Sequence, residues 1–166
     1  MLGMLSNVAS GRVARDMKDQ AGRVALVMRG GEGPYRATAL ALAARGMRVV
    51  VAGGAEKGLG ETVGEIAYGG GKARHVAGDA AAAIARALEV FGGLDVAIAP
   101  DEADLAAVRE RTNERAQLVR VQAGEPAADA RWAAVGFGPG VEDEDVAELV
   151  VWICGRRLNG RAIALR

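Results

Sequence analysis

Serine is confined to Ser6 and Ser10, cysteine and histidine occur once each as Cys154 and His75, and there are only two each of Trp, Tyr and Phe in 166 residues. One cysteine cannot close a disulfide within the chain, and one cysteine with one histidine cannot build a zinc cluster, so no metal site is expected. Excess charge is also lacking. Lys and Arg number 21 and so do Asp and Glu, which leaves no net field to gather nucleic acid or an anionic membrane. No apolar run approaches the roughly 20 residues of a membrane-spanning helix. The start, Met1-Leu2-Gly3-Met4-Leu5-Ser6-Asn7, lacks the basic segment and long apolar stretch of an export signal. These absences together point to a cytoplasmic protein without nucleic-acid or membrane partners.

What is abundant is small: 35 Ala and 24 Gly. Between them lie clean apolar blocks. Val24-Ala25-Leu26-Val27-Met28 is a short continuous run of the kind a strand covered on both faces shows. A glycine-bearing turn over residues 29–34 leads into Ala37 to Gly46, rich in helix-forming Ala and Leu and closed by a glycine suited to a C-cap. The alternation continues through a strand at 47–52, a helix at 57–68, a strand at 72–77, a helix at 80–91 and a strand at 94–99. Repeated strand–helix alternation with short connections predicts right-handed crossovers and a parallel, doubly wound sheet.

Beyond it, Asp101 to Gln117 reads as a polar helix and residues 118–121 as a strand. Residues 123–130 are breaker-rich and leave no room for a long helix before the apolar stretch Arg131 to Phe137. A parallel neighbour normally needs a crossover of a dozen or more residues. Glu142 to Asp145 place carboxylates at the start of a helix running to Cys154, where they favour the positive end of its dipole, and residues 161–166 form a last strand. The expected fold is α/β: a Rossmann-like doubly wound parallel sheet of about six to seven strands with one crossover helix missing. Residues 1–20 read as an N-terminal extension with apolar residues at near-helical spacing, and 21–166 as a single domain.

Gly22-Arg23-Val24-Ala25-Leu26-Val27, the helix Arg36 to Gly46, Phe91-Gly92-Gly93-Leu94-Asp95-Val96, Val146 to Val150 and Asn159-Gly160-Arg161-Ala162-Ile163-Ala164 resemble the short-chain dehydrogenase/reductase family. The resemblance implies NAD(P) as cofactor and oxidoreductase chemistry. It also implies a TGxxxGxG loop whose glycines let backbone N–H groups approach a diphosphate. Over Met28 to Tyr35 only Gly33 of those three glycines stands; Arg29 holds the first place and Tyr35 the last, with Pro34 between. Gly30, Gly31 and Gly33, with Arg36 and the family's adenine-contacting Asp at Asp79, are the candidate cofactor-binding residues. Asp79 reads first as a helix cap, ahead of an adenine contact, and the loop first as a helix-entry turn, ahead of a cofactor loop.

Other family positions are empty. Gly53 and Gly54 follow the second strand where an acid or base would meet the ribose, and Ala99-Pro100-Asp101-Glu102 replaces Asn-Asn-Ala-Gly. The family's catalytic Ser after the fifth strand and its Tyr-x-x-x-Lys helix have no counterpart, so no catalytic residue is assigned. Tyr68-Gly69-Gly70-Gly71-Lys72 matches the spacing by letter, but three glycines will not hold a helix that aligns Tyr68 with Lys72. The expectation is a non-catalytic binding or assembly module without a cofactor. The alternative is an NAD(P)-dependent oxidoreductase with an atypical site or working beside a complete paralogue. The shortened helix at 80–91 and the missing helix fall on one face of the sheet. A homodimer covering that undercovered face, or the N-terminal extension, is expected to bury it.

Overall fold

The computed structural model describes residues 20–127, 129–156 and 158–166. Seven strands form one sheet, and every pairing is parallel: β1 (Val24–Met28), β2 (Arg48–Ala52), β3 (Ala73–Val76), β4 (Val96–Ala99), β5 (Gln117–Ala123), β6 (Ala133–Phe137) and β7 (Ala162–Leu165), in the order β3-β2-β1-β4-β5-β6-β7. Helices α1 (Gly33–Ala44), α2 (Glu56–Tyr68), α3 (Ala80–Phe91), α4 (Glu102–Arg111) and α5 (Asp143–Cys154) complete it. The Rossmann-like α/β fold read from the sequence is the fold observed.

The apolar runs of β1, β2 and β4 are buried along their length because helices cover both faces. Alternate side chains sort into two cores. Val27, Val51, Val96, Val119 and Val135 face Leu42 of α1, Leu59 of α2 and Leu149 of α5. Leu26, Val50, Ala97, Leu118 and Ala134 face Ile84 of α3 and Leu105 and Val108 of α4. Cys154 lies in the first core, fully buried, and burial pushes its thiol up to about 12, so it is an inert packing residue.

Three distant side chains close the C-terminal end of α5. Gln20 Nε2 donates to Val151 O at 3.4 Å, Gln117 Nε2 to Ile153 O at 3.1 Å and Arg23 Nη1 to Cys154 O at 3.1 Å. Val151 O and Ile153 O also accept from Gly155 N and Arg156 N, so the side chains add second bonds there, and Arg23 serves Cys154 O at the helix end. Apart from Gln20, the extension expected at 1–20 lies outside the described residues.

Between β5 and β6 the described residues contain no helix. The connection instead lies flat on the sheet. Gly136 of β6 points to the α3/α4 side, and a Cβ built there would sit 2.2 Å from Gly124 O and 2.4 Å from Pro126 Cδ. Trp132, 2% exposed, belongs to the core with Leu105, Leu118 and Ala134. The turn that delivers it is held by Asp129, whose carboxylate accepts from Arg131 N, Nε and Nη2 at 2.8, 2.8 and 2.6 Å. Those bonds hold the Asp129 carboxyl down at about 2. The Arg131 guanidinium stacks 4.4 Å over the Trp132 ring.

The sequence places Arg131 and Trp132 in the sixth strand, but β6 begins at Ala133 and the two belong to this turn. The helix expected to reach Gln117 stops at Arg111, because Asn113 and Glu114 take φ of 50° and 62°, outside the helical region. On the α3/α4 side of β5 to β7 the remaining positions are polar or small. Arg120 donates to Pro100 O and pairs with Glu102, Gln122 donates to Glu125 O, and Ala162 and Ala164 line the edge.

Candidate functional site

In an open parallel sheet the ligand crevice forms at the C-terminal strand ends where the winding reverses, here between β1 and β4. The loop after β1 enters it. Arg29 N donates to Ala52 O at 2.6 Å, which continues the β1–β2 ladder by one residue and leaves Arg29 at φ 58°. That backbone conformation suits glycine and costs another residue about 1 kcal/mol. Arg29→Gly is therefore expected to stabilise the fold by about 0.5–1 kcal/mol, about 2 °C in Tm. A thermal melt checks this, and a lower Tm would contradict the strain.

The glycines that follow serve packing. A Cβ on Gly30 would lie 2.5 Å from Val51 Cγ1, and one on Gly31 would lie 2.8 Å from the backbone of Gly58 and Leu59. Gly30 O also accepts from Thr62 Oγ1 of α2 at 2.9 Å. Both glycines let the loop seat against β2 and α2. Gly33, at φ 55°, faces open space at the start of α1, and Pro34 occupies the first turn where its missing N–H is harmless. Arg36 is paired with Glu65 of α2. Asp79 caps α3, accepting from Ala82 N at 2.9 Å. The structure thus brings Gly33 and Asp79 to the crevice end of the sheet, while Gly30, Gly31 and Arg36 are engaged with β2 and α2.

Tyr35 is the residue the spacing could not place. Its hydroxyl donates to Val121 O at 3.0 Å. Since β4 lies between β1 and β5, the side chain spans the end of β4 to reach that carbonyl. Burial raises the Tyr35 pKa, with Arg29 lowering it and Asp101 raising it. The rim is acidic. The Asp104 carboxyl is raised by burial first, then by Asp101 and Asp79, and lowered by Arg29, so three carboxylates and one guanidinium share this end of the sheet. Asp101 and Glu102 stand at the start of α4, with Glu102 paired to Arg120 at 2.7 Å.

The strand order, the all-parallel pairing and the reversal at β1/β4 are features shared with solved structures. A Serratia marcescens short-chain dehydrogenase/reductase is similar at TM-score 0.75 and 15% identity, covering 88% of this chain and 97% of that one. The chain has the fold of that dehydrogenase/reductase. A short-chain dehydrogenase from Burkholderia cenocepacia in complex with NADP aligns at TM-score 0.73 and 19% identity, over 88% and 97% of the two chains. The apo glucose dehydrogenase of Caenorhabditis elegans aligns at 0.73 and 15%, over 87% and 96%. No family profile matches the chain, and no curated protein is significantly similar to it.

Within that fold, Tyr68 and Lys72 do not share a helix face. Tyr68 ends α2 at 96% exposure, Gly70 breaks the helix at φ 85°, and Lys72 O accepts from Val49 N at the opposite end of the sheet from the crevice. Among the described residues no helix is long and apolar enough to cross a membrane.

Proposed function

We propose that the chain is a non-catalytic Rossmann-like protein that serves as a binding or assembly module. The observation that carries this reading is the connection over residues 124–132. It lies flat against Gly136 in the place of the crossover that would bear a proton-transferring Tyr–Lys pair. Proton transfer by a tyrosine calls for a pKa lowered by a neighbouring cation. Tyr35, the tyrosine at the crevice, is shifted the other way by burial, and its hydroxyl donates a hydrogen bond to a backbone carbonyl.

The residues present do not fit a dinucleotide in the family manner. Gly30 and Gly31 are packed against β2 and α2, Tyr35 lies across the crevice, and Asp79, Asp101 and Asp104 put three carboxylates at this end of the sheet, a field unfavourable to an anionic diphosphate. Titration of the purified chain with NADH and NADPH, followed by nucleotide fluorescence, is expected to give no saturable binding below about 1 mM. Tighter binding favours the second reading, an NAD(P)-dependent oxidoreductase with an atypical site or acting beside a complete paralogue. That reading is supported by the NADP in the similar Burkholderia structure.

The partner we propose is a second copy of the chain, seated on the α3/α4 side at the edge strand β7, the face opposite α5. Its support is the exposed Ala162 and half-exposed Ala164 on the edge strand β7. Light scattering that returns a monomer mass would overturn this arrangement.

A further inference from the structure

The Tyr35 side chain does more than fail to be glycine. It leaves the first turn of α1, crosses the end of β4, packs half-buried against the core that holds Val121 and Val135, and delivers one hydrogen bond to a carbonyl on the far side of the crevice. Pro34 and the left-handed Arg29 and Gly33 fix the turn from which it starts. A half-buried planar ring packed on an apolar core beside a charged rim, with a single donor meeting a fixed carbonyl, makes the contacts by which a site holds an aromatic ligand.

We propose that Tyr35 is a built-in occupant of this crevice, an autoinhibitory latch whose phenol fills the place of a neutral planar aromatic carrying one hydrogen-bond donor, with Val121 O as the acceptor. The crevice is closed as long as the ring is in it. Removing the ring leaves a slot of phenol shape, and a phenol-like ligand then binds the folded state and raises its stability by mass action. The proposal rests on the reading above only in taking the crevice as lacking a resident dinucleotide.

The experiment compares wild type, Tyr35→Gly and Tyr35→Ala in thermal melts with and without about 10 mM phenol. The alanine variant retains the helix propensity of α1 should the glycine variant fail to fold. Circular dichroism establishes which variants are folded. The latch predicts that a folded variant melts below wild type and regains about 2 °C or more with phenol, while wild type does not respond. An equal response by wild type overturns the latch, as does a folded glycine or alanine variant that ignores phenol. A parallel NADPH titration identifies the larger ligand the slot admits. A gain of about tenfold in Tyr35→Gly over wild type marks a dinucleotide, and a gain with phenol alone marks a smaller aromatic; each supports the latch. Saturable NADPH binding by wild type instead defeats the non-catalytic reading, and the phenol comparison still decides the latch separately.

Discussion

Trp132→Ala is expected to be the most damaging single substitution in the connection that replaces the crossover helix, costing about 3–5 kcal/mol and lowering Tm by roughly 10 °C. Trp132 is among the largest fully buried side chains, and it reaches the α3/α4 core from a turn. The indole fills the space between Leu118, Ala134 and α4 that a helix would otherwise cover, so alanine leaves a cavity whose walls are regular elements and collapse little. Its Nε1 is buried with no hydrogen-bond partner. Trp132→Phe removes that orphan donor while retaining a ring, so its cost is expected to be markedly smaller than that of alanine. Chemical denaturation of the three proteins side by side checks the order. A small loss in Trp132→Ala would mean that the turn is not part of the core.

The second large effect is expected at Gly136. Gly136→Ala places a methyl against Gly124 O and the ring of Pro126, and backbone cannot step aside as a long side chain does. A loss of about 1–3 kcal/mol follows. Gly138→Ala is the control. Its new methyl would meet only Leu165 O, at 3.6 Å, an ordinary contact, and its effect is expected within about 0.5 kcal/mol. Equal tolerance at the two positions would show that residues 124–132 are a slack linker with no fixed seat on the sheet.

Much of the fold was legible because parallel strands covered on both faces leave unbroken apolar runs. Val24 to Met28 and Ala80 to Phe91 are bounded in the structure as the pattern bounds them. The end of α4 was not legible, since Arg111, Glu114 and Arg115 are acceptable helix residues and only the backbone turn at Asn113 and Glu114 ends it. Trp132 misled in the opposite sense: an apolar residue next to a strand reads as strand, while the Asp129–Arg131 clamp that turns the chain there is a three-dimensional fact.

The candidate site was legible in its departures and not in its contacts. Spacing showed that Tyr35 stands where glycine would stand, and not that its hydroxyl ends on Val121, 86 positions away. Spacing also offered Gly30 and Gly31 as ligand glycines, although Val51 and Gly58, which explain them, are remote in sequence. One local sign was available. A lone glycine inside a strand marks a close backbone approach, and Gly136 in β6 is such a glycine.

The short β5–β6 connection also sets the order in which the sheet can assemble. Two parallel strands joined through residues 124–132 meet after closing a loop far shorter than an ordinary crossover, and each halving of loop length lowers the entropic barrier by about 0.6 kcal/mol. The pairing of β1 with β4, by contrast, must wait for α1, β2, α2, β3 and α3 to be threaded between them. Low sequence separation favours early pairing of β5 with β6. The crevice, formed where β1 meets β4, therefore depends on the pairing of greatest sequence separation in the sheet.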